Sequence, residues 1–174
     1  MKQISFLVAA LLLVGCATAS IEHLSNSQDR GAVLYGGEHV FVSLPKDGVF
    51  EGHDYTDSGY YVQQYFYDNL LRYTDHIVCA TTVLSFEAAK AEARKHNAQI
   101  LIYPSIVHWE DRNTAWSGLK DKVRINVIVY SLQENKILDK TSLYATNAWL
   151  TFVQAAPQNR LKTIIPPYVK ALYN

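Results

Sequence analysis

The run Val123 to Leu132 (VRINVIVYSL) constrains the fold more than any other stretch. Val123, Ile125, Val127 and Val129 recur at every second position. That period puts them on one face of a strand, and an apolar strand face this long needs a core to lie against. Gln133-Glu134-Asn135-Lys136 fits a tight hairpin loop. Ile137 to about Trp149 then returns as the partner strand, with Leu138 and Thr141 to Ala145 carrying the pairing.

Other elements follow from the same periodicities. Ile100-Leu101-Ile102-Tyr103 is continuously apolar, as in a strand covered on both faces. Pro104 predicts an edge, bend or bulge before Ile106-Val107-His108-Trp109 resume the strand. His39 to Leu44 and Ile77 to Ala80 read as two earlier strands. Pro45-Lys46-Asp47-Gly48 is a turn signal, and Val49 to Asp57 reads as polar and irregular. Val62, Phe66, Leu70 and Tyr73 share a helical face, which predicts a helix over about Gly59 to Tyr73 with Ser58 as its cap. Ser85 caps a second helix, with Phe86, Ala89 and Ala93 inward and an end at His96-Asn97. Leu161, Ile164, Ile165, Tyr168, Val169 and Leu172 form a last helical stripe. Pro166-Pro167 sits inside it and predicts a break near Ile165, with a second short helix opening there. The predicted order is β-α-β-α-β-β-β-α. The fold class is mixed α/β (α+β), a single mixed sheet with helices packed on it, in one globular domain over residues 38–174.

The N-terminal end points to the cell envelope. Lys2 supplies a positive start, and Ile4 to Val14 are apolar apart from Ser5. Spanning a bilayer takes about 20 residues, so this run is too short. It fits the apolar region of a secretory signal, which needs only about 7–15 residues. Leu13-Val14-Gly15-Cys16 resembles a bacterial lipobox. The resemblance implies cleavage behind Gly15, a diacylglyceryl and an N-acyl lipid on Cys16, and a membrane partner reached through that anchor. No other cofactor is expected. Ala17, where an aspartate would hold many such proteins in the inner membrane, favours the outer membrane facing the periplasm. Residues 1–15 are thus the signal peptide. Residues 16–37, rich in Ser, Asn, Gln, Asp and Gly, read as the lipidated cysteine and a flexible tether. Such a tether has an r.m.s. reach of about 25 Å.

Composition removes other classes. Sixteen basic residues balance sixteen acidic ones, so nothing pulls nucleic acid from a distance. Twelve tyrosines and three tryptophans suit a half-buried sheet or a binding face. Of two cysteines, Cys79 lies in an apolar run and reads as a small core residue. With lipid on Cys16, Cys79 has no intrachain partner, so the fold stands without an internal disulfide.

The most unusual polar stretch runs from His108-Trp109-Glu110-Asp111-Arg112 to Trp116-Ser117-Gly118. Two readings apply. In one, the tryptophans cover the end of a sheet and Arg112 pairs with Glu110 or Asp111. In the other it is an interface tip, since Trp and Arg are common hot spots. The candidate partner-binding residues are then Trp109, Glu110, Asp111, Arg112 and Trp116. His108, Glu110 and Asp111 are metal ligands by type, but on a strand 108 and 110 share a face and 111 does not. No metal is expected. There is no Gly-x-Ser-x-Gly elbow, phosphate-binding loop, dinucleotide-binding glycine pattern or His-Glu-x-x-His. His53, Asp54 and Ser58 lie close in sequence, but proximity alone makes no triad. The expectation is a non-enzyme.

Trp109-Glu110-Asp111-Arg112 followed by Trp116-Ser117-Gly118, with Tyr168 to Tyr173, resembles a family of uncharacterised bacterial lipoproteins. Ala115 stands where an acidic residue would be expected. The element order is similar, more distantly, to envelope lipoprotein domains of the LpoB, TolB N-terminal and CsgG kinds. That likeness implies an envelope protein partner rather than catalysis. The function expected is a lipid-anchored, protein-binding or assembly module. A carrier or sensor of a small envelope ligand is the alternative, and a hydrolase a lesser one.

Overall fold

The computed structural model describes residues 18–24, 32–110, 122–146 and 158–174. Residues 1–15, expected to be a signal peptide, and Cys16, Asp111, Arg112 and Trp116 lie outside the described residues. The elements in chain order are β1 (Thr18–His23), β2 (Val40–Leu44), β3 (Gly48–Phe50), β4 (His53–Tyr55), α1 (Ser58–Leu70), β5 (Ile77–Val83), α2 (Phe86–Lys95), β6 (Ile100–Glu110), β7 (Lys122–Ser131), β8 (Lys136–Thr146) and α3 (Gln158–Leu172). Six strands form one mixed sheet in the order β1-β8-β7-β6-β2-β5, and β3 and β4 form a small second sheet. β2 runs parallel to β5 and β6, and the other pairings are antiparallel. The fold is therefore the expected mixed α+β, with additions.

Helices α1 and α3 cover one face. Val62, Phe66 and Leu70 from α1, and Leu161, Ile164, Ile165, Tyr168 and Val169 from α3, pack on Val40, Val42, Ile102, Val123, Ile125, Val127, Val129 and Leu143. The alternation seen in 123–129 thus points at this core. α2 lies on the other face, where Ala89 and Ala93 meet Phe41, Leu101, Tyr130 and Leu132. Ser85 caps α2 as expected, its Oγ accepting from the Ala88 N–H at 3.3 Å.

Four expectations are corrected. First, the tether does not extend over residues 16–37. Thr18–His23 pair with β8 as an edge strand. The N–H groups of Val33 and Leu34 both donate to the Leu172 carbonyl at 2.9 Å, closing the end of α3, and Leu34 is fully buried. Second, Val49 to Asp57 is not irregular. It folds into the β3–β4 hairpin, turning through Glu51 and Gly52 at positive φ, the geometry of a tight hairpin turn. Third, Ser58 does not cap α1. Its Oγ accepts from the Gly48 N–H at 2.8 Å. Asp47 Oδ1 instead accepts from the Gly59 N–H at 2.8 Å, a cap supplied from outside the helix. Fourth, α3 is continuous through Pro166 and Pro167. The carbonyls those prolines leave without their helical donors belong to Lys162 and Thr163, both exposed residues on the solvent side of the helix. The stripe on the opposite side stays buried and outweighs the lost bonds.

Buried polar groups hold the layers in register. Gln63 of α1 donates from Nε2 to the carbonyls of Val42 (3.1 Å) and Ala80 (2.9 Å). The β2–β5 register shifts just past Val42, so the amide occupies a place where the ladder is interrupted. On α3, Tyr168 OH donates to Asp139 Oδ2 at 2.7 Å, and Thr141 Oγ1 donates to the same oxygen.

Candidate functional site

Strand register brings four chain segments to one end of the sheet. Thr18 pairs with Thr146, Thr146 with Lys122, and Lys122 with Glu110, a single row across β1, β8, β7 and β6. The next row on the same face holds Ser20, Tyr144, Arg124 and His108. A bulge between Ile106 and His108 sets this arrangement. It turns Trp109 into the core, while His108 and Glu110 share the opposite face, as the strand period predicts.

Trp109 is only 3% exposed and belongs to the core. A Cβ on Gly48 would lie 2.5 Å from the Trp109 Cβ, so only glycine lets β3 approach this closely. Trp109 therefore covers the sheet end, the first of the two readings, and offers no free surface to a partner. Glu110 is 2% exposed. Its Oε2 accepts from His108 Nε2 at 2.9 Å and lies 3.8 Å from Lys122 Nζ. The carboxylate is thus buried with cationic and imidazole company, the condition under which burying a charge is tolerated. The pairing of Glu110 with Lys122 was not foreseen.

Val107, His108, Lys122, Arg124 and Tyr144 line an open groove of about 390 Å³. Arg124 stacks over Tyr144, its guanidinium carbon 5.0 Å from the ring centre. Arg124 Nη1 also stands 3.4 Å from Glu22 Oε2 of β1. The Phe50 ring meets His108 edge-on at 5.1 Å. A signal for this groove was present: the residues alternating with the core valines of β7 are Lys122, Arg124 and Asn126. What they meet on β1, β6 and β8 depends on register, which no single strand carries.

A second, smaller cleft of about 180 Å³ lies at the opposite end of the sheet, lined by His39, Asp75, His76 and His96 among others. The His39 and His76 rings stack at 4.4 Å. His76 Nε2 is 3.2 Å from Asp75 Oδ1. Parallel pairing of β2 and β5 unites residues far apart in sequence, which periodicity alone does not reveal. Among the described residues no group of three or more His, Cys, Asp or Glu side chains is arranged to hold a metal ion. His53 packs edge-on against Tyr55 at 4.8 Å, while the buried Ser58 hydroxyl is engaged by Gly48 and by Asp47 at 3.4 Å. The hydrogen bonds of Ser58 thus run to Gly48 and Asp47, where β3 begins. Cys79 is a half-buried free thiol on β5, and burial pushes its pKa up, which makes it a poor nucleophile. No helix among the described residues is long and apolar enough to cross a membrane.

A family model described as a domain of unknown function, DUF4823, matches residues 32–172. The chain belongs to this family. No curated protein matches it. Among solved structures it is similar to the PelC dodecamer from Paraburkholderia phytofirmans, with a TM-score of 0.64 at 13% identity, covering 91% of this chain and 98% of that one. It is also similar to the hypothetical protein CT253 from Chlamydia trachomatis, with a TM-score of 0.50 at 12% identity, covering 78% of this chain and 98% of that one. At such identities the likeness shows that this DUF4823 chain shares their fold, and nothing further.

Proposed function

We propose that this DUF4823 protein is a lipid-anchored, non-catalytic lipoprotein of the bacterial envelope whose domain binds another protein close to the membrane surface. One observation carries the reading: a charged start and a short apolar run end at Leu13-Val14-Gly15-Cys16, and β1 begins at Thr18. Two peptide units reach about 7 Å at most. A lipid on Cys16 would therefore hold the sheet end that carries Thr18, Lys122, Glu110 and Thr146 against the bilayer. Two or more acyl chains give stable anchoring where one gives only reversible binding. Ala17 supports the outer membrane, and the balanced charge supports a partner other than nucleic acid.

Glu110 and Lys122, which flank residues 111–121 and so the candidates Asp111, Arg112 and Trp116 in sequence, both lie at this same end. A partner recognised there would lie at the membrane. The similar PelC structure is a dodecamer, so a second copy of the chain is the first partner to test. The engaged Ser58 hydroxyl supports binding over hydrolysis. The open, polar clefts support a binding surface over an enclosed carrier cavity.

The test is a photo-crosslinking amino acid at position 112 or 116 in cells, together with mass spectrometry of the mature N-terminus. The expected results are an acylated cysteine as first residue and a discrete protein adduct, of dimer mass if the partner is a second copy. An unmodified N-terminus would overturn the anchor, and the lack of any protein adduct at both positions would overturn the binding role.

A further inference from the structure

We infer that the groove lined by His108, Lys122, Arg124 and Tyr144 binds a phosphate group, supplied by a phospholipid headgroup of the leaflet that holds Cys16. The lipid source rests on the anchor reading above, whereas the phosphate chemistry stands on the groove itself. Lys122 and Arg124 alternate along β7, with side chains 46% and 38% exposed. Their spacing of about 7 Å lets both reach one phosphate. Arg presents a planar fork suited to phosphate oxygens, and Lys adds a point charge. His108 extends the row on β6. The Tyr144 ring under Arg124 is apolar with a polar tip, the side-chain type that suits a membrane interface.

Two carboxylates oppose the ligand and must be counted. Glu110 is buried below the groove and is already met by His108 and Lys122. Glu22 is exposed, and its contact to Arg124 is long at 3.4 Å. An exposed pair of that kind is worth at most about 1 kcal/mol, so phosphate can displace it. Thr146 stands opposite Lys122 on the same face, more than nine-tenths buried, and its Oγ1 has no hydrogen-bond partner among the described residues. Buried hydroxyls are ordinarily satisfied. Thr146 lies in the row beside the groove rather than in its lining, so its hydroxyl marks a polar floor and the ligand contacts fall to Lys122, Arg124 and His108. The placement fits the source, because this row also holds Thr18, two residues from Cys16.

The test titrates dihexanoyl phosphatidylglycerol, as monomers, into the full-length protein in an uncharged maltoside detergent and follows heat. Saturable binding is expected, weakening as salt rises. The double variant K122Q/R124Q should bind at least about tenfold more weakly, the loss of one charge-assisted hydrogen bond or more, with an unchanged circular dichroism spectrum. E22Q removes the competitor and should tighten binding about twofold to fivefold. Inorganic phosphate binding as tightly as the lipid would uphold the phosphate site and assign a free ion as its source. Absence of saturable binding to either probe, or equal binding by K122Q/R124Q, would overturn the inference. An unacylated Cys16 with an intact titration would remove the anchor and leave the groove standing.

Discussion

The two faces of the six-stranded sheet are built from the same strands yet treated differently. The face under α1 and α3 is apolar along its length, from Val40 through Val129 to Leu143, and its few polar groups are bonded across layers. The other face meets α2 over Phe41, Leu101 and Tyr130, then gives way to His108, Lys122, Arg124 and Tyr144 in a groove. Alternation makes this possible. The residues between the inward ones of β7 face the other way: Ile128 and Tyr130 pack on the α2 side, whereas Lys122 and Arg124, nearer Glu110, are partly exposed and charged. One face is thus apolar throughout, while the other is apolar under α2 and polar at the groove.

Substitutions on the two faces should separate accordingly. Phe66→Ala empties a fully buried site beside Tyr168 and should cost about 3–5 kcal/mol, read by urea denaturation. A loss below about 1 kcal/mol would mean that the α1 layer is not the core. Gln63→Leu keeps the volume but strips two buried carbonyls of their donor, for an expected loss of about 1–3 kcal/mol.

The apolar face was legible and the polar edge features were not. Val62, Phe66 and Leu70 announce α1 because burial writes a period into the chain. Thr18–His23 carries only Ala19 and Ile21 as alternating apolar residues, too faint a pattern inside a polar stretch, so an edge strand passed for a tether. Its pairing with β8 shortens the reach assigned to the domain. Val49 to Asp57 hid a hairpin because its strands are three residues each, and β3 packs through Gly48 against Trp109, a contact between distant segments. Pro166-Pro167 misled because a local rule counts lost bonds and omits the buried stripe on the far side. Trp109 looked like a hot spot by residue type, whereas the bulge before it sends the ring inward.

The C-terminal seam gives the next test. Tyr73 and Tyr173 stack at 4.0 Å where residues 33–34 close α3. Burial, then the Glu38 carboxylate, then Tyr73, hold the Tyr173 hydroxyl above its ordinary 10.0. A folded-state pKa raised above the unfolded one contributes stability below the unfolded value and loses it as pH rises. Melting temperature should therefore fall as pH climbs past about 10. Tyr173→Phe should flatten part of that slope; Tyr65 and Cys79, which shift the same way, keep a share of the rest. An identical alkaline slope in the variant would show that Tyr173 ionises as freely in the folded protein as in the unfolded one.

Arg124→Ala should produce the smallest change in stability and so sharpens the contrast between the faces most. Arg124 contacts Glu22 at 3.4 Å and the Tyr144 ring, all partly or fully exposed. Exposed pairs contribute about 0–1 kcal/mol, and a cation over an exposed ring about 0.5–1 kcal/mol. The expected loss by urea denaturation is below about 1 kcal/mol, and 0.5 M salt should shrink it further, since the Debye length is then about 4 Å. If the loss instead matched that of Gln63→Leu and ignored salt, Arg124 would be a structural strut. The groove would then be part of the scaffold, and the division between an apolar, stabilising face and a polar groove would fail at the residue on which it is most exposed.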